Sequence, residues 1–505
     1  MNKYTKYLVL GLWCAFLSIF LLQPINLSTA DIGRHIVNGR IFLESDSATR
    51  TALWQSNFYS YTMPQASFVN HHWGSGVIFY LIYKLSGFAG LSIFYWLISL
   101  ATILLFFNLA KRFSNFYTAL VVGLCLTPLL VYRVEVRPEV WSYFLSGVFL
   151  NLIHYRKYLW SLPLLMLIWI NLHIGFVFGF LILGAWLFEE LIKYWRGEGG
   201  EWVGVAKILG ASVVASLINP FGYKLLIYPL QIFSNYGYRV VENQSVMFLE
   251  GIDFTNNMHF GLFKLALALV VVGAGVLIYK RALPLHLALS GVVVGVMALF
   301  GIRNFEIFGL FASIIISSTL ACIFFSKIQA DTRALLLIVL SAGAIISQFT
   351  NFLFAYQNWG VGLQSGQLGS AQFFAEHKLV GPIFNNYDIG GYLIFNLYPQ
   401  ERVYVDNRPE AYSEKFFSTQ YREPQESEEA WQALDQERHF NIIYFYYKDY
   451  TPWAQNFLLK RINDAKWAPV FADSKNIIFV RNTPQNAGLI KQYRIPQNQF
   501  GVSGQ

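Results

Sequence analysis

The stretch STADIGRHIVNGR, Ser28 to Arg40, follows directly on an apolar run that starts at Tyr7. It places Asp31, Arg34, His35 and Arg40 where the chain would leave a bilayer. Asp31 and His35 are four apart, so on a helix they share a face. A carboxylate there could act as a general base or help to hold a divalent cation. Ser28, Thr29 and Asp31 would also suit a helix N-cap. Ionisable groups at a membrane edge are costly to keep there, which favours function for Asp31 and leaves His35 open. His71 and His72 precede Trp73 and a long apolar run. Neighbouring side chains point apart, so one of the two would face a cavity. With Asp31 they could ligate a metal, although the spacing carries no zinc signature. A histidine beside an interfacial tryptophan is the competing reading.

A second set is basic. Arg133, Glu135, Arg137 and Glu139 alternate in sign, and Pro138 should end one element and start a helix. A guanidinium fork binds two oxygens of a phosphate at once, so Arg133 or Arg137 suits that ligand. Mutual ion pairing is the alternative. Arg303, between two apolar runs, is either a further phosphate contact or a partner for Glu306. Asn171 and His173 lie within the apolar stretch Leu162 to Leu187 and need partners, from a ligand or from helix packing. Asp406, Arg408 and Glu410 in YVDNRPEAY follow a strand-like run, a pattern found in sugar-binding sites and in ordinary turns, and the turn is the favoured reading.

These residues need elements to hold them. The chain has 505 residues, 55% hydrophobic and 13% charged, with a mean hydropathy of +0.42. Soluble chains carry about 25% charged residues. Many apolar runs reach the roughly 17 to 25 residues of a membrane-crossing helix. The chain reads as a mainly α, polytopic membrane protein, and the bilayer is its first partner. Cys14, Cys125 and Cys322 all sit in apolar runs and fit neither a disulfide framework nor a metal cluster. The net charge of +8 suggests nucleic acid only until it is located. From Gly360 onward there are 14 Lys+Arg against 15 Asp+Glu, leaving 23 and 14 before it. The excess is topological, and no nucleic-acid partner is expected.

Basic residues favour cytoplasmic span ends. With Lys3 and Lys6 inside, the pairs Lys111-Arg112, Arg156-Lys157, Lys193 with Arg196, Lys280-Arg281 and Lys327 with Arg333 all fall on one side. This gives about eleven crossings, an uncleaved first helix, a cytoplasmic N-terminus and an external C-terminus. KLSGFAG, Lys84 to Gly90, should interrupt the run between His72 and Ala110. The polar clusters all land on the outer side, around a cavity roofed by the loop from Asp31 to Asn70. Beyond Gly360 the runs GPIFNNY, GYLIFNLY, RVYVDNRP, NIIYFYY and NIIFVR look like strands, alternating with helix-like stretches such as Glu426 to Arg438. We therefore expect a transmembrane domain over 1–355, including an external loop 29–72, and a small extracytoplasmic α/β domain over 360–505.

There is no P-loop, GxSxG, HExxH or strand-linked GxGxxG, so ATP-driven pumping, serine hydrolysis and zinc proteolysis lack support. Several features resemble the GT-C glycosyltransferase superfamily. They are an aspartate just after the first helix, a long first loop ending in His-Trp, an R-x-E-x-R stretch and a C-terminal external domain. WINLHIGF (Trp169 to Phe176), NPFGY (Asn219 to Tyr223) and YDIGGYL…VDNR (Tyr387 to Arg408) look like a branch with an RgtA/B/C/D-like domain. Protein O-mannosyltransferases and aminoarabinose transferases are more distantly similar. The resemblance implies an inverting transferase taking sugar from a polyprenyl-phosphate donor to a glycan, lipid or protein acceptor on the outer face of a bacterial inner membrane. It implies Asp31 as base or metal partner, with His35 and His72 as the other catalytic residues. His71, Glu135, Asn171 and His173 would contact substrate, and Arg133, Arg137 and Arg303 the donor phosphate. Ile32 stands where some relatives carry a second acid, so no cofactor is fixed and a divalent cation, Mg or Mn, stays open. A lipid-linked polysaccharide polymerase or ligase, a transporter and a non-enzymatic envelope assembly protein are the rivals.

Overall fold

The computed structural model describes residues 3–231, 236–254, 259–325 and 329–501. Within them the chain forms two compact units, neither continuous in sequence. The first comprises Met1–Pro24, Ala89–Pro229 and Arg239–Val361; the second comprises Ile25–Phe88, Leu230–Tyr238 and Gly362–Gln505. The loop that the sequence groups with the membrane spans thus shares a unit with the C-terminal residues.

The first unit is helical. Helix α1 (Lys3–Leu21) is a run of leucine and aromatic residues that stops before Pro24. Helix α2 (Ile32–Glu44) belongs to the second unit. Helix α3 (Trp73–Phe113) breaks at Gly87, whose φ of 61° and ψ of −158° suit glycine. The break lies inside KLSGFAG, where the interruption is expected. Helix α4 (Glu139–Tyr155) starts directly after Pro138, whose fixed φ suits a helix start. Helices α5 (Val177–Trp195), α6 (Phe260–Tyr279), α7 (Leu285–Phe300) and α8 (Phe305–Thr319) follow. Every residue of α8 is buried, as expected of a helix that is apolar all round. Helices α6 and α7 pack against it. Helices α9 (Ala330–Ser347) and α10 (Phe349–Gln357) meet at a bend of 51°. Among the described residues five helices are long and apolar enough to cross a bilayer, or six with the bent pair as one span. The expected eleven crossings therefore depend on the shorter apolar helices.

The second unit holds a four-stranded sheet in the order β1 (Ile383–Asn385), β2 (Ile442–Tyr446), β4 (Asn476–Arg481), β3 (Trp467–Ala472). Strands β1 and β2 are parallel and the other pairs antiparallel. Asp473 closes the β3–β4 turn, accepting from the backbone N–H groups of Lys475 and Asn476 at 2.7 Å. Three of the expected strands are present. GYLIFNLY is instead the helix α11 (Gly390–Leu397), because a short buried apolar run has the same composition in either form. RVYVDNRP is a buried extended segment outside the sheet, bridged once from Val403 to Ser60. Strand β3 carries Pro469 beside a bulge, which hid it from pattern reading. Helix α12 (Glu428–Arg438) lies within the predicted stretch.

Two glycine contacts position α2. A Cβ on Gly39 would lie 2.1 Å from the Gly76 carbonyl oxygen, so α2 and the start of α3 cross backbone to backbone. A Cβ on Gly33 would lie 2.9 Å from the Gly391 carbonyl oxygen, which brings the start of α11 against the first turn of α2.

Candidate active site

In the second unit, Asp31 stands at the N-terminus of α2 without capping it. Its side chain turns elsewhere: Asn407 donates to Oδ1, and Arg34 lies 3.9 Å from Oδ2. Arg34 in turn donates to Asn407 Oδ1 at 3.3 Å, which fixes the amide between acid and base. The Asp31 side chain is 24% exposed while that of Arg34 is 5% exposed. The carboxylate is thus more exposed than the guanidinium beside it. Cap and functional readings separate here, because a helix cap would have spent its oxygens on α2.

Asn407 owes its place to its neighbours. Arg408 forks onto both Asp406 oxygens, at 2.7 and 2.6 Å, and donates to Asn57 at 2.8 Å. Tyr412 donates to Asp406 at 3.1 Å, and the Phe68 ring lies 4.6 Å from the guanidinium. This buried pair is the frame that holds residue 407; the sequence read the same stretch as a plain turn.

More acids gather here. Asp388, half-buried, has its carboxyl pushed up to about 7 by burial and then by the charges of Asp449 and Asp31. Burial likewise raises Glu410, against the pull of Arg34 and Arg408. Sequence patterns do not single out Asp388 or Asn407, although YDIGGYL and VDNR carry them. The Tyr238 ring stacks 4.2 Å from that of Tyr387 beside this group.

The histidines share this unit. His35 and His72 face edge to face at 5.5 Å, and His71 and His72 lie 4.0 Å apart between ring centroids. His71 Nδ1 is 3.0 Å from the Val69 carbonyl. His35 and His71 are buried, and His72 is half-buried. The Gly39–Gly76 crossing places His35 and His72 together. Among the described residues no three His, Cys, Asp or Glu side chains form a group that could hold a metal ion.

The first unit brings the arginines together. Arg133 donates to Glu242 at 2.7 Å and to Glu139 at 3.1 Å. Arg137 donates to the same Glu242 oxygen at 2.9 Å and to Glu135 at 2.8 Å. Arg303 donates to Asn243 at 3.0 Å and lies 3.6 Å from Glu139. Glu306 accepts from the Arg133 backbone N–H at 3.1 Å. Burial alone would raise the Glu242 carboxyl, but the charges of Arg133, Arg137 and Arg303 hold it well below the usual carboxylate range. The ion pairing weighed in the sequence is therefore realised, with one partner, Glu242, that the sequence did not indicate.

Asn171 and His173 are hydrogen-bonded among the helices of the first unit. The Asn171 amide donates to the Leu167 and Ile218 carbonyls at 2.8 and 3.0 Å. His173 Nδ1 accepts from Gly175 N–H at 3.0 Å and lies 2.6 Å from Ser142 Oγ, which accepts from Trp169 at 2.8 Å.

No family model matches the chain, and no curated protein matches its sequence. Its fold does have solved counterparts. Oligosaccharyltransferase AglB from Archaeoglobus fulgidus, in complex with an inhibitory peptide and a dolichol-phosphate, aligns with a TM-score of 0.62 at 10% identity, covering 96% of this chain and 75% of that one. ArnT from Cupriavidus metallidurans in the apo state aligns at 0.52 with 13% identity, covering 95% and 98%. The same protein bound to undecaprenyl phosphate aligns at 0.50 with 12% identity and the same coverage. The motif resemblance and the fold agree: the chain is a multi-pass membrane protein with the GT-C fold.

Proposed function

We propose that the protein is a membrane glycosyltransferase moving a sugar from a polyprenyl-phosphate donor to an acceptor hydroxyl or amine outside a bacterial inner membrane. Support comes from the fold shared with proteins solved in complex with dolichol-phosphate or bound to undecaprenyl phosphate. The observation that carries the chemistry is Asp31, a half-exposed carboxylate fixed by Asn407 and Arg34 just after the first apolar helix. The acceptor atom forms a bond to the anomeric carbon as the bond from that carbon to the donor phosphate oxygen breaks. Asp31 takes the acceptor's proton. The lipid phosphate leaves with the electron pair, and direct displacement inverts the anomeric centre. Arg133, Arg137 and Arg303 take the donor phosphate, because their guanidinium groups already meet the neighbouring side-chain oxygens of Glu242 and Asn243. Each role rests on the geometry of its own unit. His35 and His72 line the Asp31 unit as further catalytic candidates, with His71 beside them.

The test is turnover of purified protein in lipid with a panel of radiolabelled polyprenyl-phosphate sugars. Release of label that depends on Asp31 is expected. Release that ignores the Asp31→Asn substitution removes Asp31 as base and favours a polymerase-like enzyme. Folded protein that releases no label from any donor overturns the reading.

A further inference from the structure

The turn Val241–Asn243 sets two successive side chains on the arginines. Glu242 Oε2 accepts from Arg133 at 2.7 Å and from Arg137 at 2.9 Å. Asn243 Oδ1 accepts from Arg303 at 3.0 Å. The next residue ties the turn down, since the Gln244 carbonyl accepts from the Ile302 backbone N–H at 3.2 Å. Two neighbouring side-chain oxygens thus meet all three arginines to which the donor phosphate is assigned.

Carboxylates and phosphates present a guanidinium with the same thing, anionic oxygens spaced for its fork. A single oxygen bridging two guanidinium groups is an arrangement that a phosphate oxygen would also adopt. Both anions cannot hold the same donors together. The pairs are not sealed: the side chains of Glu242, Arg133 and Arg137 are 22%, 14% and 16% exposed. The turn is three residues long, with extended backbone on either side at Val240 and Gln244, so a small rotation would lift the carboxylate away.

We propose that Glu242 is an internal competitor for the donor phosphate. It holds Arg133 and Arg137 in place while the donor is absent and releases them when phosphate arrives. The inference rests on the donor-phosphate reading of these arginines. Glu135 is the natural control. It pairs with Arg137 at 2.8 Å, is 39% exposed and bridges nothing in the pairs above.

The experiment titrates undecaprenyl phosphate into full-length protein in nanodiscs, comparing wild type with Glu242→Gln, Glu242→Asp and Glu135→Gln. Inorganic phosphate is titrated in parallel, and melting temperatures are recorded. Glu242→Gln is expected to lower the half-saturating undecaprenyl phosphate about five- to tenfold despite a lower melting temperature, since it removes a competing anion from two partly exposed pairs. Glu242→Asp, which keeps the charge on a shorter arm, should tighten binding less, and Glu135→Gln less than about twofold. Tightening in both arms means that the arginines read the phosphate itself. Unchanged or weaker lipid binding in Glu242→Gln, beside clear binding by wild type, overturns the inference and leaves the donor reading standing. No binding of undecaprenyl phosphate by any form overturns both. Tightening confined to inorganic phosphate assigns the arginines to a free anion and overturns the lipid assignment.

Discussion

The two polar clusters solve opposite problems. In the first unit, three arginines are cross-linked by glutamates that share them, Glu242 between Arg133 and Arg137 and Glu139 between Arg133 and Arg303. Charge there is balanced inside the protein. In the second unit, Arg34 lies beside Asp31 and acts on Glu410, Asp388 feels the charges of Asp449 and Asp31, and the buried Arg408 is committed to Asp406. Burial raises both the Asp388 and Glu410 carboxyls; the charges of Asp449 and Asp31 add to it at Asp388, while Arg34 and Arg408 oppose it at Glu410. Balanced clusters suit binding, in which one anion replaces another. A group of carboxylates that is partly open to solvent suits proton transfer. The difference suggests that binding energy is invested in one unit and proton chemistry in the other.

The sharpest way to break this division is Asp31→Asn, which keeps the shape and removes the base. Transfer should fall by roughly two to four decades while undecaprenyl phosphate still binds, as turnover and lipid titration on one preparation would reveal. Arg137→Ala attacks the other side. Half-saturating donor should rise about ten- to hundredfold, as for loss of a charge-assisted pair, with kcat changing much less; equal losses in kcat and binding would merge the two roles. Asn407→Ala removes the amide that holds Asp31. It should cost about tenfold in kcat and leave donor half-saturation alone, since a misplaced group loses rate rather than binding. A matched rise in half-saturation would mark Asn407 as a donor contact instead.

The smallest effect is on stability. The folded protein holds the Asp388 proton up to about 7, whereas an unfolded chain loses it near the ordinary aspartate value of about 3.9. Between those values the folded state binds more protons, so stability falls as pH rises and levels off above about 7. The melting temperature should therefore drop by a few degrees from pH 5 to pH 8, and Asp388→Asn should flatten that slope. An unchanged slope would place the titrating charge elsewhere.

Much of the arrangement is legible in the sequence. The apolar runs, the break in KLSGFAG, the Pro138 start and the placement of Asp31 after the first helix follow from length and local rules. So do the strands Ile383–Asn385, Ile442–Tyr446 and Asn476–Arg481. What local rules cannot supply is partnership at long range. Asn407 is 376 residues from Asp31, and Glu242 is 109 from Arg133. No periodicity or spacing connects such positions. Gly39 and Gly76 carry no pattern either, yet their contact sets two histidines side by side.

The discontinuity of the second unit has a consequence in time. Residues 25–88 leave the ribosome early, and the residues that complete their unit come last. At about 5 to 20 residues per second, the 376 residues between Asp31 and Asn407 take roughly 20 to 75 s to synthesise. During that interval every intervening helix is made while Asp31 has no amide to hold it. The surroundings of Asp31 are thus completed at the end of biosynthesis, after the residues of the arginine cluster exist, and a chain that stops short of Asn407 lacks the amide that holds this carboxylate.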